Sequence, residues 1–236
     1  MTCETGDLPR PPCREAAPRA CAAVALVLCS VLSLFLGLLP VSARAAEASA
    51  LLGHPAVFQG CRTTRPGRPG FCSFVDRGSR LFVYGTGSTP QWLMAELTHL
   101  EIGRRVGLTG TRRDLYEGTA EVELAGISLL PVNRYDRILK RLQGQWRSDS
   151  DPLDAFQVTG AERVNAYAGA KTSVDYISVQ PECGVLTTHG PYLYAWDESG
   201  TGGLCYEISK VSDNTLVLIY QPRGRVLKYS REGTAQ

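Results

Sequence analysis

Histidine, methionine and tryptophan are scarce in this 236-residue chain, at three, two and three residues. His54, His99 and His189 are scattered, and no C-x-x-C occurs, so the spacing of a zinc site is missing. No G-x-S-x-G, phosphate loop or dinucleotide fingerprint is present. Those absences exclude the common hydrolase and nucleotide-dependent classes, and no catalytic residue, cofactor or metal is expected. Charge of one sign is lacking too: 25 Lys and Arg face 23 Asp and Glu, a formal net of +2. Nucleic-acid binding uses a basic surplus that this balance does not hold.

The longest uncharged run is informative. Arg10, Arg14 and Arg19 precede ACAAVALVLCSVLSLFLGLLPVSA, Ala20 to Ala43, and Ala43-Arg44-Ala45 reads as an A-x-A cleavage site. Residues 1–45 therefore read as a secretory signal with a long basic leader. The alternative is an uncleaved anchor over residues 20–39, since the run is long enough to span a bilayer. Arginines ahead of the apolar run hold the N-terminus inside, so both readings export the rest of the chain, to the periplasm or the medium. Contact with a membrane is expected only through that segment.

Eight cysteines divide evenly, four in the leader (Cys3, Cys13, Cys21, Cys29) and four beyond it: Cys61, Cys72, Cys183 and Cys205. In an oxidising compartment an even set implies disulfides, with three pairings open. Sequence proximity favours Cys61 with Cys72 and Cys183 with Cys205. The first pair closes CRTTRPGRPGFC, whose Arg62, Arg65 and Arg68 sit among Gly and Pro. That loop is a candidate interaction surface for an acidic partner, or a tied-down hairpin tip.

Over residues 51–131 short β segments (AVFQGC, GFCSFVD, RLFVYGTG) are followed by STPQWLMAELTHL and two further strand-like runs. In the helical run Thr89 is a candidate cap, Pro90 the first helical residue, and Leu93, Leu97 and Leu100 recur at helical spacing, predicting about three turns. In the last run Ala120, Val122 and Leu124 alternate with Glu121 and Glu123, one face buried and one wet. Strand, strand, strand, helix, strand, strand, together with V-x-L-x-G, resembles an OB-fold, a five-stranded barrel with one helix. That resemblance implies an oligonucleotide- or oligosaccharide-binding face, for which Arg104, Arg105, Arg112 and Arg113 with Phe74, Phe82 and Tyr84 are candidates; the competing reading is solvated strand ends and core aromatics.

Over residues 134–232 NRYDRILKRLQG predicts a short helix capped by Asn133 and stopped by Gly144. Eight strand-like runs follow, separated by AGAK, ESGTGG, SDN and PRG turns, which indicates an up-and-down barrel. The helix, the Gly144-x-Trp146 opening and the closing CYEISKVSDNTLVLIYQPRGRVLKYSR are similar to lipocalins and to small lipocalin-like domains of exported bacterial proteins. The resemblance implies that Trp146 closes one end of the barrel with an arginine over its ring, Arg231 matching best and Arg225 second. Tyr192, Tyr194 and Trp196 alternate along one strand and Tyr206 follows on the next, a candidate aromatic wall for a small apolar or sugar-like ligand. The competing reading has them filling the barrel.

The acidic run Asp149, Asp151, Asp154 fails as a calcium loop. Counting from Asp149, the sixth position is Asp154 rather than Gly, and the twelfth is Gly160 rather than Glu. A polar turn between two strands is the reading that fits. The chain as a whole reads as mainly β, two small barrels in series, and as an exported non-enzymatic binding or accessory protein whose partner is a small molecule or an envelope protein. The alternative is a protein-interaction module such as an inhibitor of an exported hydrolase, since small inhibitor barrels share the G-x-W start and a disulfide.

Overall fold

Two closed β-barrels follow one another along the chain, and the burial of their strands has the period of two that the sequence carries. In this computed structural model the described residues are 55–62, 70–184, 190–221 and 223–233, all within one unit. The leader, the candidate anchor at 20–39, Arg65, Arg68, His54 and His189 lie outside them. Among the described residues no helix is long and apolar enough to cross a membrane.

The first barrel comprises β1 (Ala56–Arg62), β2 (Phe71–Asp76), β3 (Ser79–Tyr84), helix α1 (Gln91–Leu97), β4 (Arg105–Tyr116) and β5 (Thr119–Leu129). Its strand order is β1-β2-β3-β5-β4, closed by β4 on β1; only β3 and β5 run parallel. Phe58, Phe74, Leu81, Leu108 and Leu124 fill it, and Leu93 and Leu97 of α1 cover one end. Thr89 does not cap α1. The helix is one of seven residues, starting after Pro90 with no side-chain cap. The buried Thr89 hydroxyl instead accepts the Leu124 backbone N–H at 3.0 Å, beside a bulge in the β4–β5 ladder. An unmade bond there costs more than an unmade cap at a short helix's solvated end, which decides where the hydroxyl goes.

Helix α2 (Arg134–Leu142) leads into the second barrel, formed by β6 (Gly144–Ser148), β7 (Asp154–Thr159), β8 (Glu162–Tyr167), β9 (Ala170–Gln180), β10 (Tyr192–Trp196), β11 (Gly203–Val211), β12 (Thr215–Gln221) and β13 (Arg225–Arg231). All pairs are antiparallel and sequential, with β13 returning to β6. Asn133 caps α2 in a reciprocal box with Asp136. The same Asp136 carboxylate pairs with Arg105 of β4 at 2.9 Å, so one side chain both starts the helix and ties it to the first barrel.

Further contacts join the barrels. Val57 and Val75 pack on the core that holds Ile177 and Leu193. Gln59 accepts the Ala161 N–H at 3.2 Å, Gln143 brackets Gly160 through N–H and C=O at 2.6 and 2.9 Å, and Arg80 lies 3.9 Å from Glu162. The β2–β3 turn has left-handed φ at Arg77 and Gly78, 43° and 80°. A Cβ on Gly78 would lie 2.7 Å from the Trp196 ring, so only glycine lets this tip rest on the second barrel. Cys61 is bonded to Cys72 across the β1–β2 ladder and Cys183 to Cys205. Two such bridges are characteristic of periplasmic and extracellular proteins.

Candidate functional site

Residues opposite each other on antiparallel strands share a face, so the register identifies the lining of the second barrel. Leu193 and Ala195 of β10 belong to its core with Trp146, Phe156, Ile208, Leu216 and Leu218. At the α2 end the lining is apolar and covered. Leu139 and Leu142 of the helix are buried there, and the Trp146 indole N–H donates to the Leu142 carbonyl at 2.8 Å. The Arg231 guanidinium lies 4.2 Å over the indole and donates to the carbonyls of Arg141, at 2.6 Å, and of Gln143 and Asp213. Gly144, with φ +104°, leaves the space that Arg231 occupies.

Away from α2 the lining turns polar. Arg163 of β8 is 7% exposed and projects inside, 5.5 Å from the Phe156 ring of β7 and 5.5 Å from the Tyr206 ring of β11. It donates twice to Asp175 Oδ2, at 3.0 and 2.5 Å, and Asn165 donates to the same oxygen at 2.8 Å and to Ser173 at 2.9 Å. Exposure rises along this ladder, from buried Arg163 through half-buried Asn165 to exposed Ser173, and so marks the solvent-facing rim. Asp154 and Arg225 stand at that rim, at the starts of β7 and β13.

The electrostatics follow from the burial. Burial works against the Arg163 charge, but Asp175, then Tyr206, outweigh it, and the guanidinium is held above its ordinary value. Burial, with the Asp154 charge adding to it, pushes the Tyr229 phenol up to about 12. Burial also raises the Asp154 carboxyl, and Asp151 reinforces the shift. An ionised pair, two phenols, a carboxamide and a hydroxyl on one lining form a set of donors and acceptors able to orient a small polar molecule.

The four aromatics of the expected wall do not share a face. Tyr206 lies opposite Leu193, inside, whereas Tyr192, Tyr194 and Trp196 lie opposite Glu207, Cys205 and Gly203, outside. Tyr192 is fully buried on that outer side, and Tyr194 and Trp196 are half-buried with ring centroids 4.4 Å apart. Sequence reading passed over Arg163 and Asp175. In ERVNAY and TSVDYISV the alternation is visible, but Val164, Val174 and Tyr176 take the outer face, where Val174 and Tyr176 are buried, and the polar partners point in.

Elsewhere, Arg62 is exposed at the end of β1. Of the candidate basic and aromatic face, Phe74 is core, Phe82 and Tyr84 are half-buried outside, and Arg105, Arg112 and Arg113 pair with Asp136, Asp114 and Glu121. A cleft of about 360 Å³ between the barrels is lined by Arg104, Arg105, Lys140 and Ile102; Lys140 pairs with Glu101 at 2.9 Å and lowers that carboxyl. An open apolar cleft of about 620 Å³ lies between α1 and the β1–β2 hairpin, against Phe71, Met94 and Leu100. In the acidic run Asp149 accepts from Ser230 at 2.8 Å and Asp151 from the Leu153 N–H at 3.0 Å, the bonding of a polar turn. Comparison with protein-family models, with curated proteins and with solved structures finds no match to this chain.

Proposed function

We propose that this chain is an exported, non-enzymatic binding protein, built of an OB-like barrel and a lipocalin-like barrel, that takes a small hydroxyl-bearing ligand at the polar rim of the second. The buried Arg163–Asp175 pair inside that barrel carries the reading. A small barrel needs only apolar side chains to fill it, and an ion pair taken out of water is weak support for stability. A retained charge pair below the solvent-facing rim is therefore better explained by what it binds. Asp175 uses Oδ2 for its three internal bonds, which leaves Oδ1 to accept from a ligand hydroxyl, beside the Tyr206 and Tyr229 phenols. Export is supported by the leader pattern and by the two disulfides.

The test is calorimetry and thermal shift of the exported chain against a panel of mono- and disaccharides and short fatty acids. A saccharide that binds, and whose binding disappears in the double variant Arg163→Met/Asp175→Leu while the circular dichroism is unchanged, supports the proposal. Saturation of the panel without heat or shift, or equal binding by the double variant, rejects it.

A further inference from the structure

The α2 end of the second barrel, opposite the rim, concentrates positive charge that the near-neutral chain as a whole conceals. Residues 101–105 and 131–143 meet at the seam between the barrels, where Arg104, Arg105, Lys140, Ile102 and Val132 line the cleft of about 360 Å³. Those two segments hold six cations, Arg104, Arg105, Arg134, Arg137, Lys140 and Arg141, against two acids, Glu101 and Asp136. The local excess is four, where the whole chain has two. Asp136 is occupied by Arg105 and by the α2 cap. The Lys140–Glu101 pair is 72% and 71% exposed, so it holds its partners weakly and Lys140 is free to turn to another anion.

Helical period gathers these cations on one stripe. Tyr135, Ile138, Leu139 and Leu142 are buried or half-buried against the protein, so Arg137, Lys140 and Arg141, three and four positions apart, project together on the other side, all exposed. None of the ion pairs among the described residues involves Arg137 or Arg141. Beside the stripe two aliphatic side chains face water, Ile102 at 46% and Val132 at 53% exposure.

We infer that this face docks on the surface of an anionic phospholipid bilayer. A nucleic acid or a sulfated glycan would match the cations but offers no apolar phase to Ile102 and Val132. A layer of phosphates over acyl chains serves both. The course of the chain favours a bilayer over an acidic protein. Pro55, where the described unit begins, lines one pocket with Asn133, Tyr135 and Asp136, so the leader joins the fold beside the first turn of α2. Between the apolar run, ending at Leu39, and Pro55 lie 15 residues. Fully extended they reach about 50 Å. A leader held in the membrane, before cleavage or permanently, therefore keeps this face near the lipid. Docking through α2 leaves the rim, at the far end of the barrel, turned to solvent. The inference rests on export but not on a ligand at the rim.

The experiment is co-sedimentation of the exported chain, without the leader, with equimolar phosphatidylglycerol and phosphatidylcholine vesicles and with phosphatidylcholine vesicles alone. Binding to the anionic vesicles at least about tenfold tighter than to the neutral ones, and release at high salt, are expected. Arg137→Gln/Arg141→Gln should weaken the partition roughly thirtyfold, about fivefold for each cation. Ile102→Asn/Val132→Asn should weaken it about fivefold or more, since both aliphatic side chains leave water on docking. All four positions are exposed, so circular dichroism should be unchanged. The rim double variant Arg163→Met/Asp175→Leu should bind the vesicles as the parent does, which separates failure of this face from failure of the rim. Equal binding to both vesicles, no sedimentation with either, or parental binding by either surface double variant overturns the inference. So does release from the anionic vesicles by an equal concentration of charge on a thymidine decamer.

Discussion

Replacing Asp175 with alanine leaves Arg163 charged inside the barrel without its carboxylate. The two side chains are 9% and 16% exposed, so solvent does little to screen the loss. Removing one member of a buried pair costs about 3–5 kcal/mol, chiefly the desolvation of the charge left behind. For a chain of this size that corresponds to a fall in melting temperature of roughly 6–20 °C. Arg163→Met should cost less, since Asp175 is the more exposed partner and keeps its bond from Asn165 at 2.8 Å. The double variant Arg163→Met/Asp175→Leu should return to within about 2 kcal/mol of the parent or exceed it, because apolar groups of similar volume replace a buried pair without penalty. Urea unfolding of all four proteins closes a double-mutant cycle. If Asp175→Ala costs under about 1 kcal/mol, or if the double variant is no better than Asp175→Ala, then Arg163 is not a dry charge held by Asp175, and the case for a ligand at this rim fails with it.

Other consequences are as specific. Arg231→Ala should destabilise by roughly 2–4 kcal/mol in urea, since it removes the indole contact and three charge-assisted bonds, and Arg231→Lys should recover only part because an ammonium lacks the planar fork. Thr89→Val should cost about 1–3 kcal/mol by orphaning the Leu124 N–H, whereas Thr89→Ser should be nearly silent. Asp154 has a folded pKa above its unfolded one, so its ionised form opposes folding; its contribution is most favourable below the unfolded value and declines as pH rises through the folded one. Asp154→Asn should therefore raise the melting temperature at pH 7, and the gain should vanish near pH 3, below the ordinary carboxylate range. The same substitution should bring the Tyr229 phenol down from about 12 in an absorbance titration.

Much of the architecture is readable in particular residues. The Asn133 cap, the Gly144 turn and the apolar Leu139 and Leu142 define α2 from local chemistry, because capping and helical period act within a few residues. Ala120, Val122 and Leu124 against Glu121 and Glu123 define the inner and outer faces of β5, since there the polar side is the wet side. The pairing of four cysteines by proximity rests on the same locality. Thr89 shows the limit: local pattern offers its hydroxyl to a helix, and a bulged strand 35 residues later takes it.

The rim site and the seam lie beyond that limit. Period two divides a strand into two faces, but which face turns inward depends on the strands beside it and on what covers the wall. On β10 the inner places go to Leu193 and Ala195, because the first barrel's hairpin tip shelters Trp196 outside; on β8 and β9 the inner places go to Arg163 and Asp175 while Tyr176 is buried in the seam. Sequence by itself determined a mainly β chain, two helices and eight strands in series, the first of them holding Trp146, and favoured the two bridges that form, since each follows from contacts close along the chain. Only the tertiary structure decided that Tyr206 stands apart from Tyr192, Tyr194 and Trp196, that a charge pair lies inside the barrel, and that a hairpin glycine of one barrel rests on Trp196 of the other. Those relations join residues distant along the chain, and ring closure and packing between barrels, not local preference, set them.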